Sequence, residues 1–426
     1  MTNRRTLPPH SLTPEEFAAL GRGGGDTAIE RLVAGQRSKH LILLASVAEQ
    51  ARRGDRPDDG LAIGGLELLA QAQQADRDAA GEVIGYPSVG AWALHTIRGS
   101  QAMPGARPSG LATVAAAAAI KAGLDAEIEV PVLNGTVLLP SLGVADAIGD
   151  TAIVATKAGE VRSGDRRVEL RAGAPGWHDL RQAAAGGLRV VIDDLDPFRM
   201  PATDGEPTGR LTDGQVADLR GTLNAAWPLL SPARAAEVAA IVKVIVPYRA
   251  PDSGLVSTSS PQAFGSVAMS RQPDGYTCAE TLVHETQHLK LCALLDLVQL
   301  TRPDDGQRYY APWRTDPRPA SGLLQGAYAF LGVSGFWREQ RRTAPERKVR
   351  QRAQTEFARW RDGAALVVET LLGSGQLTQD GQVFAAEMAR VLDAWRREPV
   401  PDEARVVAQH LADRHRAQWH ADNEPG

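Results

Sequence analysis

The chain has 426 residues, 47 basic and 51 acidic side chains, 43% hydrophobic content and a net charge of −4. That balance excludes the concentrated basic surface of a nucleic-acid binder, and no run of roughly 18 apolar residues is present to cross a membrane. Two cysteines, Cys278 and Cys292, are too few for a disulfide framework. Together with a polar start, Met1 to His10, that lacks a signal peptide's apolar core, they fit a cytoplasmic protein.

In chain order, Thr13 and Glu16 form a capping box for a first short helix. A long helix follows over Thr27–Arg53, with Ile29, Leu32, Val33, Leu41, Leu44 and Val47 as its apolar stripe. The alanine-rich stretch Leu111–Ala122 is helical by composition. From Ala126 the pattern changes to short Val-, Ile- and Leu-rich runs between Gly, Asp and Pro. Glu127–Leu133, Gly135–Pro140, Ala152–Thr156, Arg167–Leu170 and Leu188–Ile192 read as a meander of antiparallel strands. Helix returns over Asp213–Val242, with Ser231 and Pro232 as an N-cap and N1 pair. Lys243–Tyr248 and Gly265–Ser270 read as strands, Thr277–Leu300 as a strongly patterned helix, and the chain beyond Pro319 as mostly helical. The fold class is therefore α+β: a helical part over 1–125, a strand-rich middle over 126–210, and a mostly helical metal-binding part over 211–426.

The chemistry concentrates in His284-Glu285-Thr286-Gln287-His288, an HExxH. On a helix, positions i and i+4 share a face, so two imidazoles converge on one metal ion. Glu285 is rotated by about 100° from His284 and could take a proton from metal-bound water or tune a bound substrate. Leu282, Val283, Leu291, Ala293, Leu294 and Leu295 make this a buried helix, where histidine nitrogens need partners. The bland alternative is a coincidental buried pair.

Two histidines need a third ligand. The metzincin positions hold Leu291 and Leu294, which excludes that class. The first Glu after the motif, Glu339, lies in a setting unlike a gluzincin's. Asp296 points about 80° away from His288 on the same helix. Gln325, on the helix Leu323–Arg342, is the preferred candidate, although an amide oxygen is a weak ligand. The Pro-stiffened loop from Tyr309 to Pro319 carries Arg314 and Arg318. Guanidinium groups on a rigid loop suit carboxylate recognition, while the plainer reading is a salt bridge of Arg314 with Asp316 and packing by Trp313. Gly265–Ser270 is either a cleft wall to which an extended peptide adds as a strand or a plain core strand. The basic run from Arg338 to Arg352 reads as a solvated helix face.

Several of these words together resemble a known family. They are Gln36-Arg37-Ser38-Lys39-His40-Leu41-Ile42-Leu43-Leu44, the HExxH segment from Leu282 to Leu291, Ala293 to Leu297, Ala311 to Pro319, Gly322 to Phe330, and Phe336-Trp337-Arg338. They resemble the bacterial HEXXH motif domain proteins encoded beside ribosomally made, modified peptides. The resemblance implies an iron(II)- and 2-oxoglutarate-dependent oxygenase that hydroxylates a side-chain β-carbon of a precursor peptide. It also implies partnership with other enzymes of that pathway. His284 and His288 would be iron ligands, Glu285 a site residue, and Arg314 or Arg318 the partner of the distal 2-oxoglutarate carboxylate. Residue chemistry alone leaves open a zinc-dependent metallopeptidase, since two imidazoles and an oxygen suit zinc equally. A non-catalytic peptide-binding partner of a modification complex is the third reading.

Overall fold

The computed structural model describes residues 10–25, 27–99, 105–201, 205–252 and 254–423. Residues 1–9, most of the polar start weighed above, lie outside them. Thirteen α-helices and twelve strands form among the described residues. Six helices come first: α1 (Pro14–Gly21), α2 (Thr27–Arg53), α3 (Asp59–Ala75), α4 (Arg77–Ile84), α5 (Pro87–Arg98) and α6 (Leu111–Lys121). Nine strands follow: β1 (Glu127–Pro131), β2 (Thr136–Leu139), β3 (Gly143–Asp146), β4 (Thr151–Ala155), β5 (Glu160–Ser163), β6 (Arg166–Glu169), β7 (Trp177–Asp179), β8 (Arg181–Ala185) and β9 (Leu188–Ile192). Then come α7 (Asp213–Ala226), α8 (Pro232–Ile241), β10 (Val244–Pro247), β11 (Ser257–Ser259) and β12 (Ser266–Met269). The chain closes with α9 (Gly275–Leu295), α10 (Ala320–Thr343), α11 (Arg347–Gly373), α12 (Gln379–Arg396) and α13 (Asp402–Asn423).

The chain divides into two compact units that interleave in sequence instead of following the linear cuts after 125 and 210. The first gathers Met1–Val33, Thr222–Ile241 and Pro273–Gly426; the second holds Ala34–Gly221 and Val242–Gln272. Among the described residues, no helix is long and apolar enough to cross a membrane.

The first unit is helical. Thr13 Oγ1 accepts the Glu16 N–H at 3.2 Å, and Glu16 returns a carboxylate to the Thr13 N–H at 2.8 Å, so the capping box forms as expected. Asp274 caps α9 by accepting the Thr277 N–H at 2.8 Å. α9 and α10 pack closely because Gly332 has no side chain; a Cβ there would lie 2.5 Å from Gln287 Cγ. The basic run from Arg338 is not simply solvated. Arg338 and Arg341 both pair with Glu398, and Arg341 lies over the Phe357 ring at 4.2 Å. Phe357 comes from α11, beyond the run itself, so the sequence pattern of the run could not register it.

The second unit holds all twelve strands in three sheets. β1-β4-β5-β6 and β2-β3-β7 are antiparallel, as the short alternating runs suggest. The third, β11-β12-β10-β9-β8, is mixed, with β9, β10 and β12 mutually parallel. Parallel strands are buried on both faces, and β10 and β12 are buried along their whole length. The possibility that a peptide adds beside Gly265–Ser270 is thereby corrected. β12 is flanked by β10 on one side and β11 on the other, so its hydrogen-bonding edges are taken. α6 packs against this core with Leu111 through Ala119 buried, as expected for a helix apolar all round.

Candidate metal centre

The site stands on the first unit, on the face of α9 that carries positions 284 and 288. The two Nε2 atoms face each other at 3.1 Å. Two imidazoles on one divalent ion, each at about 2.1 Å and subtending roughly 90–109°, place their nitrogens about 3.0–3.4 Å apart. The spacing therefore fits a shared ion. His288 Nδ1 lies 3.1 Å from Gln325 Oε1. An amide oxygen only accepts, so Nδ1 carries the proton and Nε2 keeps a free lone pair. The Gln325 amide nitrogen is directed to Cys292 Sγ at 3.7 Å, which fixes the amide's orientation.

Gln325, expected as third ligand, is thus brought to the pair, but from the Nδ1 side. There it orients His288, and its oxygen does not face the two converging Nε2 atoms. Among the described residues, no group of three or more His, Cys, Asp or Glu side chains could hold a metal ion.

Burial, and next the neighbouring His288, push the His284 imidazole down to about 4, while the Glu285 charge pulls the other way. His284 is therefore neutral at pH 7, the form a metal needs. Glu285 itself is 1% exposed, whereas both histidines are half-buried.

The His284 ring meets the Phe330 ring edge-on, centroids 5.3 Å apart at 82°. Phe330 is in turn stacked by Trp313 at 4.6 Å and 19°, and met by Trp360 at 4.3 Å. Gly326 makes this possible, since a Cβ there would come within 2.3 Å of the Trp313 indole nitrogen. Trp313 thus anchors the Pro-rich loop one ring away from His284. Tyr309 and Arg318 close the loop through a backbone pair, at 2.8 and 2.9 Å.

Arg314 and Arg318 both reach Asp316, at 2.7 and 3.0 Å, so the loop salt bridge forms and includes both arginines. A carboxylate ligand would have to compete with Asp316 for them.

One group escaped sequence reasoning. Glu280 lies one turn before His284, and burial is the first cause that pushes its carboxyl up to about 7, with Glu356 adding to the effect. Its i−4 spacing from His284 was the available signal. Cys278 is buried, as expected of a small apolar residue, and burial raises its thiol to about 12. No protein-family model matches the chain, and no curated protein matches it.

Proposed function

We propose that the chain is an iron(II)- and 2-oxoglutarate-dependent oxygenase acting in the cytoplasm on a ribosomally made precursor peptide, hydroxylating a side-chain β-carbon. The observation that carries the reading is the pair of imidazoles whose Nε2 atoms face at 3.1 Å, with the His288 Nδ1 turned to the Gln325 amide oxygen. The resemblance supplies the reaction class. His284 and His288 would hold the metal. The aromatic row of Trp313, Phe330 and Trp360 shields one side of His284 from water. Arg314 and Arg318 offer two guanidinium groups to a dicarboxylic acid, with Asp316 as the anion to be displaced. When bound, iron and 2-oxoglutarate supply the oxidising power: one oxygen atom of dioxygen enters the peptide C–H bond, the other enters succinate, and carbon dioxide leaves.

The test is anaerobic reconstitution with iron(II), then addition of 2-oxoglutarate, air and a candidate precursor peptide, read by mass spectrometry. The expected result is one added oxygen atom on the peptide and one succinate per turnover. Backbone cleavage by the zinc-loaded protein without 2-oxoglutarate would establish the peptidase reading instead. Tight peptide binding with no turnover under either metal would establish a binding partner.

A further inference from the structure

The second unit contains a cavity of about 600 Å³ between α3, α5, α6 and the segment joining β1 to β2. We propose that this cavity binds an organic cation, a primary ammonium carried on an aliphatic or aromatic body. The inference uses no residue of the metal centre.

The first support is the lack of a direct ion pair. Three aspartates follow β9. Asp194 is paired with both Arg181 and Arg210. Asp193 and Asp196, 0% and 1% exposed, form no ion pair among the described residues. Asp193 accepts hydrogen bonds from the Tyr86 hydroxyl at 2.7 Å and the Asp196 N–H at 2.9 Å. Asp196 accepts from the Ser88 hydroxyl at 2.5 Å and the Phe198 N–H at 2.7 Å. The nearby Arg199 guanidinium favours both carboxylates by its charge, but its hydrogen bonds go to the backbone carbonyls of Asp196 and Thr208, at 2.6 and 3.0 Å. Two carboxyls buried this deeply are costly to ionise without a cation. Burial first, and the Asp193 charge second, accordingly raise the Asp196 carboxyl to about 7.

The second support is that Asp196 and Ser88 line the cavity. A purely structural clasp at the start of α5 would not require open space beside it. Asp58 and Asp150 also line the cavity, against Arg107 as the one basic lining residue among the described residues. Trp92 and Phe198 add aromatic surfaces, which attract cations through their ring faces. The volume lies in the range of small-molecule pockets, roughly 300–1,000 Å³, and far exceeds what a bare metal ion fills.

The experiment titrates the full-length protein with phenethylamine, 2-phenylethanol and 3-phenylpropionate by calorimetry, three probes of similar shape and different charge. The amine is expected to bind at least about tenfold more tightly than the alcohol, and the carboxylate not at all. Asp196→Asn should remove that preference. Val132→Trp, which puts a much larger side chain at a lining position between β1 and β2, should abolish amine binding. Circular dichroism verifies that each variant is folded. Acetyl-lysine-amide in parallel separates the sources of the cation. Tighter binding than phenethylamine assigns a peptide side chain, and weaker binding a free amine. Equal affinity for amine and alcohol, no binding of any probe, or amine binding retained in Val132→Trp would each overturn the proposal.

Discussion

His284 and His288 in the first unit, and Asp193 and Asp196 in the second, are both pairs of like titratable groups brought close together. They differ in direction. Burial pushes His284 down to about 4 and Asp196 up to about 7, so each of these two groups is driven toward its uncharged form. They differ also in origin. The histidines meet because one helix turn separates them, whereas the aspartates are fixed by Tyr86 and Ser88, 107 and 108 positions away in sequence. What the two share, on the readings proposed above, is a place for a positive charge: imidazole lone pairs in one, carboxyls without an ion pair in the other.

The comparison can be broken most severely at the histidines. His284→Ala or His288→Ala should abolish stoichiometric metal, measured by elemental analysis after dialysis. Unchanged metal in both single variants would move the site elsewhere. Gln325→Ala comes next, with an expected loss in metal affinity of about 10–100-fold and an unchanged fold, because only the orientation of His288 is relaxed. If Gln325→Ala abolished binding outright, as the histidine variants do, Gln325 would be a ligand.

On the aspartate side, Tyr86→Phe leaves buried Asp193 one donor short and should destabilise the protein by about 1–3 kcal/mol in denaturant unfolding. A further test is the pH dependence. A carboxyl raised in the folded state keeps its proton there longer than in the unfolded chain. Its contribution is thus fully present below about 3.8 and is lost as pH rises through about 7. Asp196→Asn should therefore gain stability relative to wild type as pH rises from about 4 to about 7. A constant difference across that window would show that Asp196 titrates normally.

The same contrast explains what could be read from the sequence. Capping at Thr13, the span of α2, the start of α8 at Pro232 and the HExxH face follow from spacings of three or four residues, and they stand as expected. α9 starts two residues before the expected Thr277 and stops at Leu295, with Asp296 as its C-cap, although apolar residues continue to Leu300. β3, β5, β7, β8 and β11 leave little local signal because they are three to five residues long and built on Gly, Asp, Arg or Ser. The parallel pairing of β9 with β10 joins segments some fifty residues apart, beyond any local pattern. Phe330 and Trp360 give no hint in sequence that they build a wall beside His284. The salt bridge of Arg314 with Asp316 forms as the plainer reading of the loop expected, and Arg318 joins it, a contact that the sequence reading did not name.

Lys290, two residues past the HExxH, has consequences for how the protein is made. Its side chain is fully buried, and its ammonium donates to the Gly23 carbonyl at 2.9 Å and to Glu237 at 2.8 Å. Three stretches of chain, near residues 23, 237 and 290, must therefore arrive before that charge is compensated. During synthesis the second unit's last residue, Gln272, emerges before any of α9, while Gly23 waits for a partner more than 260 positions downstream. Contacts of such long range slow folding. A fragment starting at Pro273 would keep both histidines yet bury Lys290 without Glu237, so α9 is expected to fold poorly when excised.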